Sequence, residues 1–125
     1  MQFVKKNTSR VTRLVFCENQ DHKENVKLNV QVGGNGSIPK ELKVGDQVFL
    51  RIGVKIGDET TVIQLDIEMF FEFQVINYDS KLNNEEELTS NCSEIAIVEI
   101  RETIKKVTAD FGIPEIDLPL DAFKR

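Results

Sequence analysis

Side chains able to do chemistry are few in this sequence, and they stand far apart. The one histidine, His22, lies in the polar run Asn19-Gln20-Asp21-His22-Lys23. A lone imidazole in such a run is expected to be solvated rather than to act as a general base. Cys17 and Cys92 are widely separated and lack the short Cys/His spacings of a tetrahedral metal site. Both thiols therefore read as reduced and structural, with no disulfide and no metal. Asp66 and Glu68 form an i, i+2 pair; on a strand this sets both carboxylates on one wet face, which makes them a solvated pair rather than a general acid and base. The run Gly33-Gly34-Asn35-Gly36-Ser37 has the glycine density of a phosphate loop. It lacks the Lys-Ser/Thr ending, and no clear helix follows to hold an anion. It reads as a flexible connection, and Glu85-Glu86-Glu87 as an acidic loop. No catalytic residue and no cofactor site is expected, so the sequence reads as a non-enzyme.

The elements around these residues follow from hydrophobic periodicity. Val48, Leu50, Ile52, Val54 and Ile56 alternate with polar residues, and Gly57-Asp58-Glu59-Thr60 then supplies a turn. Beyond it Ile63, Leu65, Ile67, Met69, Phe71, Phe73 and Val75 share one face, opposite Gln64, Asp66, Glu68, Glu72 and Gln74. Such a period-two pattern predicts a long antiparallel hairpin, dry on one side and wet on the other. Val26, Leu28, Val30 and Val32 alternate in the same way and predict a further strand, ended by the glycine run and Pro39. Phe3 to Phe16 is less regular and reads as a long, bent, partly exposed first strand, followed by a polar loop from Glu18 to Asn25.

After Tyr78 the chain turns polar. Asn91 or Ser93 is a suitable helix cap, and Ile97, Ile100, Ile104, Val107 and Phe111 form an apolar stripe at spacings of three and four. Gly112 and Pro114 end that helix, and two prolines keep the last stretch extended. The expected fold is α+β: a four-stranded antiparallel sheet with one long C-terminal helix packed on it and an extended tail, as a single domain over residues 1–125. Phe70, with Val62 and Ile76, lies on the polar side of its strand, and Phe49 likewise faces away from the inner row. These aromatics predict a small second core beneath the tail, a subunit interface, or a groove for apolar segments.

Composition narrows the function classes. Hydrophobic residues are 40% and charged residues 30% of 125 residues, enough for one core and a solvated surface. The net charge of -5 and a pI of about 4.9 disfavour nucleic acid and anionic membrane as partners. No run approaches the roughly 18 apolar residues of a membrane span, and Lys5-Lys6 interrupts the N-terminus. A cytoplasmic setting is expected, with no membrane insertion.

From the helix onward the sequence resembles the SecB family of export chaperones. Cys92-Ser93-Glu94-Ile95-Ala96-Ile97-Val98-Glu99-Ile100-Arg101-Glu102-Thr103-Ile104 is similar to the SecB helix, which a cysteine precedes and which carries an Arg-Glu pair midway. The segment from Phe111 to Phe123 resembles the SecB Phe-Pro-x-Leu-x-Leu-x-Pro-x-Asn-Phe stretch, and Gly57-Asp58-Glu59-Thr60 its Gly-Glu-Glu-Thr turn. Val26-Lys27-Leu28-Asn29-Val30 resembles its second strand, and there is likeness to an uncharacterised Gram-positive SecB-like family. Two departures accompany these matches. The sequence ends at Arg125 without the second helix that helps build the SecB peptide groove, and Arg13, Cys17 and Leu65 stand where SecB carries acidic residues for its translocation motor.

The resemblance implies a holdase that binds apolar segments of unfolded or newly made proteins, with a link to protein export. It also implies assembly into homo-oligomers, dimers or tetramers, through sheets and helices. The client groove would lie between Val26, Leu28 and Val30 on one side and Ile113, Ile116, Leu118, Leu120 and Phe123 on the other. The alternative is a non-catalytic interaction or structural subunit with one dedicated protein partner, a toxin–antitoxin component being one such role among SecB-like proteins.

Overall fold

Uninterrupted alternation builds the centre of the sheet. The computed structural model describes residues 2–19, 29–58, 60–113 and 115–123. Strand β1 spans Val4–Glu18, β2 Val30–Ser37, β3 Gln47–Ile56 and β4 Ile63–Val75. Helix α1 spans Glu85–Asp110, and a 3-10 turn closes the chain at Leu120–Phe123. The strands form one sheet in the order β1-β4-β3-β2, every neighbouring pair antiparallel. This is the expected architecture.

The β3–β4 hairpin matches its sequence pattern nearly residue for residue. Its turn depends on Gly57, whose φ of 71° is left-handed and where a Cβ would sit 2.3 Å from the Ile63 carbonyl. The buried Thr61 hydroxyl braces the same turn, accepting from Asp58 N at 2.9 Å and donating to Ile63 O at 2.7 Å. Odd positions of β4 and even positions of β3 form a dry face in which Leu65, Ile67, Phe71 and Phe73 are fully covered. β1 bends at two register shifts, between Lys6 and Thr8 and between Val11 and Arg13, and much of it is exposed.

Three expectations need correction. The glycine run is not a loop: β2 continues through Gly33-Gly34-Asn35-Gly36 to Ser37, which pairs with Phe49. Hydrogen bonds to β3 hold it, and the approach is so close that a Cβ at Gly34 would lie 3.0 Å from Arg51 O. The predicted strand residues Val26 and Leu28 lie outside the described residues.

Helix α1 begins well before Asn91. Asn84 is its N-cap and accepts from Glu87 N at 2.9 Å, while Glu87 Oε1 accepts from Asn84 N at 3.1 Å. Glu85-Glu86-Glu87 is thus the first helical turn, where carboxylates complement the helix dipole, and not a loop. Asn91 instead ties the helix to the sheet, its Oδ1 accepting from Phe3 N at 2.8 Å and Val4 N at 3.1 Å.

The buried helix residues also differ from the expected stripe. Leu88, Cys92, Ala96, Ile100, Ile104 and Thr108 recur strictly every four residues, a slanting ridge suited to crossing a twisted sheet. Each flanking ridge has its own neighbour. Asn91, Glu99 and Phe111 meet β1 and the residue before it, through Phe3 and Val4, Lys6 and Phe16. Thr89, Ser93, Ile97 and Arg101 turn toward β2 and the tail.

Burial pushes the Cys92 thiol up from 9.0 to about 11, whereas Cys17 is exposed and both are free. A thiol reagent is therefore expected to titrate one cysteine in the native protein and two after unfolding. The folded chain holds its Cys92 proton more tightly than the unfolded chain. The associated stability is complete below pH 9 and is lost as pH rises through about 11, on the order of 2 kcal/mol by alkaline denaturation.

Candidate peptide-binding groove

The dry face of the sheet is only partly covered. Helix α1 lies over β1, β4 and β3, and the C-terminal tail returns along the helix to bring its 3-10 turn against β2. Gly112, at φ 77°, reverses the chain, and Ile113 N donates to Thr108 O at 3.2 Å. Ile116 N donates to the Thr108 hydroxyl at 3.1 Å, and Arg101 Nε donates to Leu118 O at 2.6 Å. Leu118, 5% exposed, enters the core, and Phe123 packs against it partly buried. The tail is a fixture of the fold.

Between this tail, the helix and β2 a space of about 400 Å³ stays open. Pairing places Gly34 opposite Ile52 and Gly36 opposite Leu50, so both glycines belong to the inner face and contribute no side chain there. Leu50 and Ile52 form the floor, Thr89, Ser93 and Ile97 the helix wall, and Phe123 one end. The lining is apolar with two hydroxyls, and the Thr89 hydroxyl is already bonded to Glu85 O at 2.7 Å. Alongside runs the outer edge of β2, paired on β3 alone among the described residues. Every second residue of an edge strand turns its N–H and C=O outward, ready to pair with an added strand.

The sequence-predicted groove residues are dispersed by the structure. Phe123 lines the open space, whereas Val30, Ile116 and Leu118 pack against the core. Ile113 is half-buried and Leu120 is 56% exposed; Val26 and Leu28 lie outside the described residues. Sequence reasoning missed Leu50, Ile52, Ile97 and the two glycines. Gly34 and Gly36 continue the period of Val30 and Val32, so a stretch of inner face without side chains was the available signal.

Phe49 and Phe70 meet on the opposite face, their rings stacked with centroids 5.7 Å apart. The tail lies on the helix side and does not cover them, which removes the second core beneath the tail. Ile76 follows the end of β4 and is 41% exposed. Among the described residues no group of three or more His, Cys, Asp or Glu converges on a metal site, and no helix is long and apolar enough to cross a membrane.

The fold is similar to that of the Mycobacterium tuberculosis Rv1957 SecB-like chaperone, solved in complex with a ChAD peptide from the Rv1956 HigA1 antitoxin. That likeness covers 94% of this chain and 86% of the other, with 15% identity and a TM-score of 0.63. A protein of unknown function from Streptococcus agalactiae is similar over 93% of this chain and 96% of its own, with 14% identity and a TM-score of 0.50. No family model and no curated protein matches the sequence. The likeness establishes a SecB-like α+β fold.

Proposed function

We propose that this protein is a chaperone-like binding protein, not an enzyme, and that the groove beside β2 holds extended apolar segments of other proteins. The observation that carries the proposal is the open apolar space over Gly34 and Gly36, next to a strand edge that is unpaired among the described residues. A segment added to that edge would direct alternate side chains into the groove. Main-chain bonds would supply sequence-independent affinity, as a holdase requires. The SecB-like chaperone solved with a peptide supports the same reading. Two free thiols suit a reducing compartment, so the proposed setting is the cytosol.

The test is fluorescence anisotropy of a labelled peptide alternating Leu and Ser, beside light scattering of a chemically unfolded test protein. Ile97→Asp puts a charge on the groove wall from a half-buried position. It is expected to weaken peptide binding about tenfold or more with the fold unchanged by circular dichroism. Full binding by Ile97→Asp, or none by the wild-type chain, would sink the proposal. Suppressed aggregation of several unrelated clients marks a general holdase. Peptide binding without suppression marks one dedicated partner.

We also propose a homo-oligomer. Val11 and Leu14, 42% and 41% exposed, lie on the helix side of β1, where the Phe16–Phe111 stack continues the apolar strip. Leu14→Asp is expected to lower the mass found by light scattering to that of a monomer. An unchanged mass excludes this strip as the contact.

A further inference from the structure

Among the described residues, the strand positions on the sheet face turned away from the helix carry charge of opposite sign to the chain as a whole. Register places Lys5, Arg10 and Arg13 of β1 on it, with Arg51 and Lys55 of β3. Against these five cations stand three carboxylates of β4, Asp66, Glu68 and Glu72, in a protein of net charge -5. Two of the carboxylates are already engaged. Both Asp66 oxygens accept from Arg13 Nη2 at 2.9 Å. Glu68 Oε1 accepts from the Thr12 hydroxyl at 2.9 Å and lies 3.8 Å from Arg51 Nε.

Arg10 makes no ion pair among the described residues. It pairs across the sheet with Phe70, which on its other side pairs with Arg51. The two guanidinium carbons lie 4.8 and 5.7 Å from the Phe70 ring centroid, and Phe49 stacks on the same ring. Guanidinium groups held over an aromatic ring lose little freedom on binding an anion. In the next row Gly53 and Gly33 lie side by side and open a trough of about 380 Å³, lined by Arg13, Arg51 and Lys55 together with their partners Asp66 and Glu68.

We infer that this face is a second docking surface, separate from the groove, for an acidic segment of a partner protein. Charge complementarity selects the occupant. The surplus cations favour an anion, and the half-buried Phe49 and Phe70 favour a chain that also brings apolar side chains. The carboxylates set among the cations oppose a continuous phosphate backbone. An extended peptide instead spaces its carboxylates, and can leave Asp66 and Glu68 uncontacted.

The test is anisotropy of a short fluorescein-labelled peptide alternating Glu and Tyr, run beside its Lys-for-Glu counterpart and an oligothymidine. The wild-type chain is expected to bind the acidic peptide, with affinity falling as salt rises. Arg10→Gln with Arg51→Gln is expected to cost about tenfold. Lys55→Gln, which leaves the Phe70 stack untouched, is expected to cost about threefold. Ile97→Asp should leave this binding unchanged, and the double arginine variant should still bind the Leu/Ser peptide, so the two sites fail separately. No binding of the acidic peptide, equal binding of the Lys peptide, tighter binding of oligothymidine, or unchanged affinity in the arginine variants would overturn the inference.

Discussion

Gly36→Leu is expected to weaken binding of apolar segments by about tenfold or more while leaving the fold intact. The new side chain would start from the inner face of β2, where a Cβ meets Phe49 O at 3.1 Å and Leu50 Cδ1 at 3.8 Å. That is tight by a few tenths of an ångström, and β2, paired on β3 alone among the described residues, can yield by that much. Gly36 lines the groove from its inner face, so the leucine would occupy the place proposed for a client side chain. Excluding one apolar side chain forfeits about 1.5–3 kcal/mol, roughly a 10- to 100-fold loss of affinity. Stability should hold or rise, because leucine replaces glycine within a strand and buries its own surface. The control is Gly33→Leu, three residues earlier on the same strand. Its side chain would leave the other face, where a Cβ meets nothing within 4 Å. It should bind the Leu/Ser peptide as the wild-type chain does. Anisotropy titrations decide the matter: wild-type affinity in Gly36→Leu would place clients elsewhere.

The contrast between these glycines also explains what was legible in the sequence. The β3–β4 hairpin could be read because each strand buries one face completely, leaving an unbroken alternation from Val48 to Ile56 and from Ile63 to Val75. The groove could not be read in the same way, because it is made by side chains that are missing. Gly34 and Gly36 look like a loop until their pairing with Ile52 and Leu50 is known. The helix start was obscured for a different reason. Glu85-Glu86-Glu87 has the composition of a solvated linker, although Asn84-x-x-Glu87 carries the capping-box pattern. The helix stripe was misplaced because hydrophobicity alone selects Ile97, Val107 and Phe111. The buried ridge runs instead through Cys92, Ala96 and Thr108, small side chains that let the helix lie close on the sheet. Phe49 and Phe70 were visible as misfits on a polar face, but their stacking depends on a register that no local pattern specifies.

Phe71→Ala is expected to be the most destabilising single change discussed, at about 3–5 kcal/mol in urea unfolding. Phe71 is fully buried on β4, paired with Leu50 on one side and Ser9 on the other. Its ring stacks on Phe73, with centroids 6.1 Å apart and planes 16° from parallel. Neighbours on three strands and the helix side are fixed by the ladder, so the cavity left by the ring can collapse only in part. Against a typical domain stability of about 5–15 kcal/mol, the variant would keep only part of its margin. Phe70→Ala, one residue earlier, should cost about 1 kcal/mol, since that ring is half-buried on the wet face. The difference between adjacent phenylalanines tests the register itself, because a slip of one residue exchanges every inner and outer side chain of a strand. Equal losses, or the greater loss at Phe70, would mean that β4 presents its other face to the helix. The cationic face would then lose Phe70 and the β4 carboxylates to the inner side, and the second docking surface would fall.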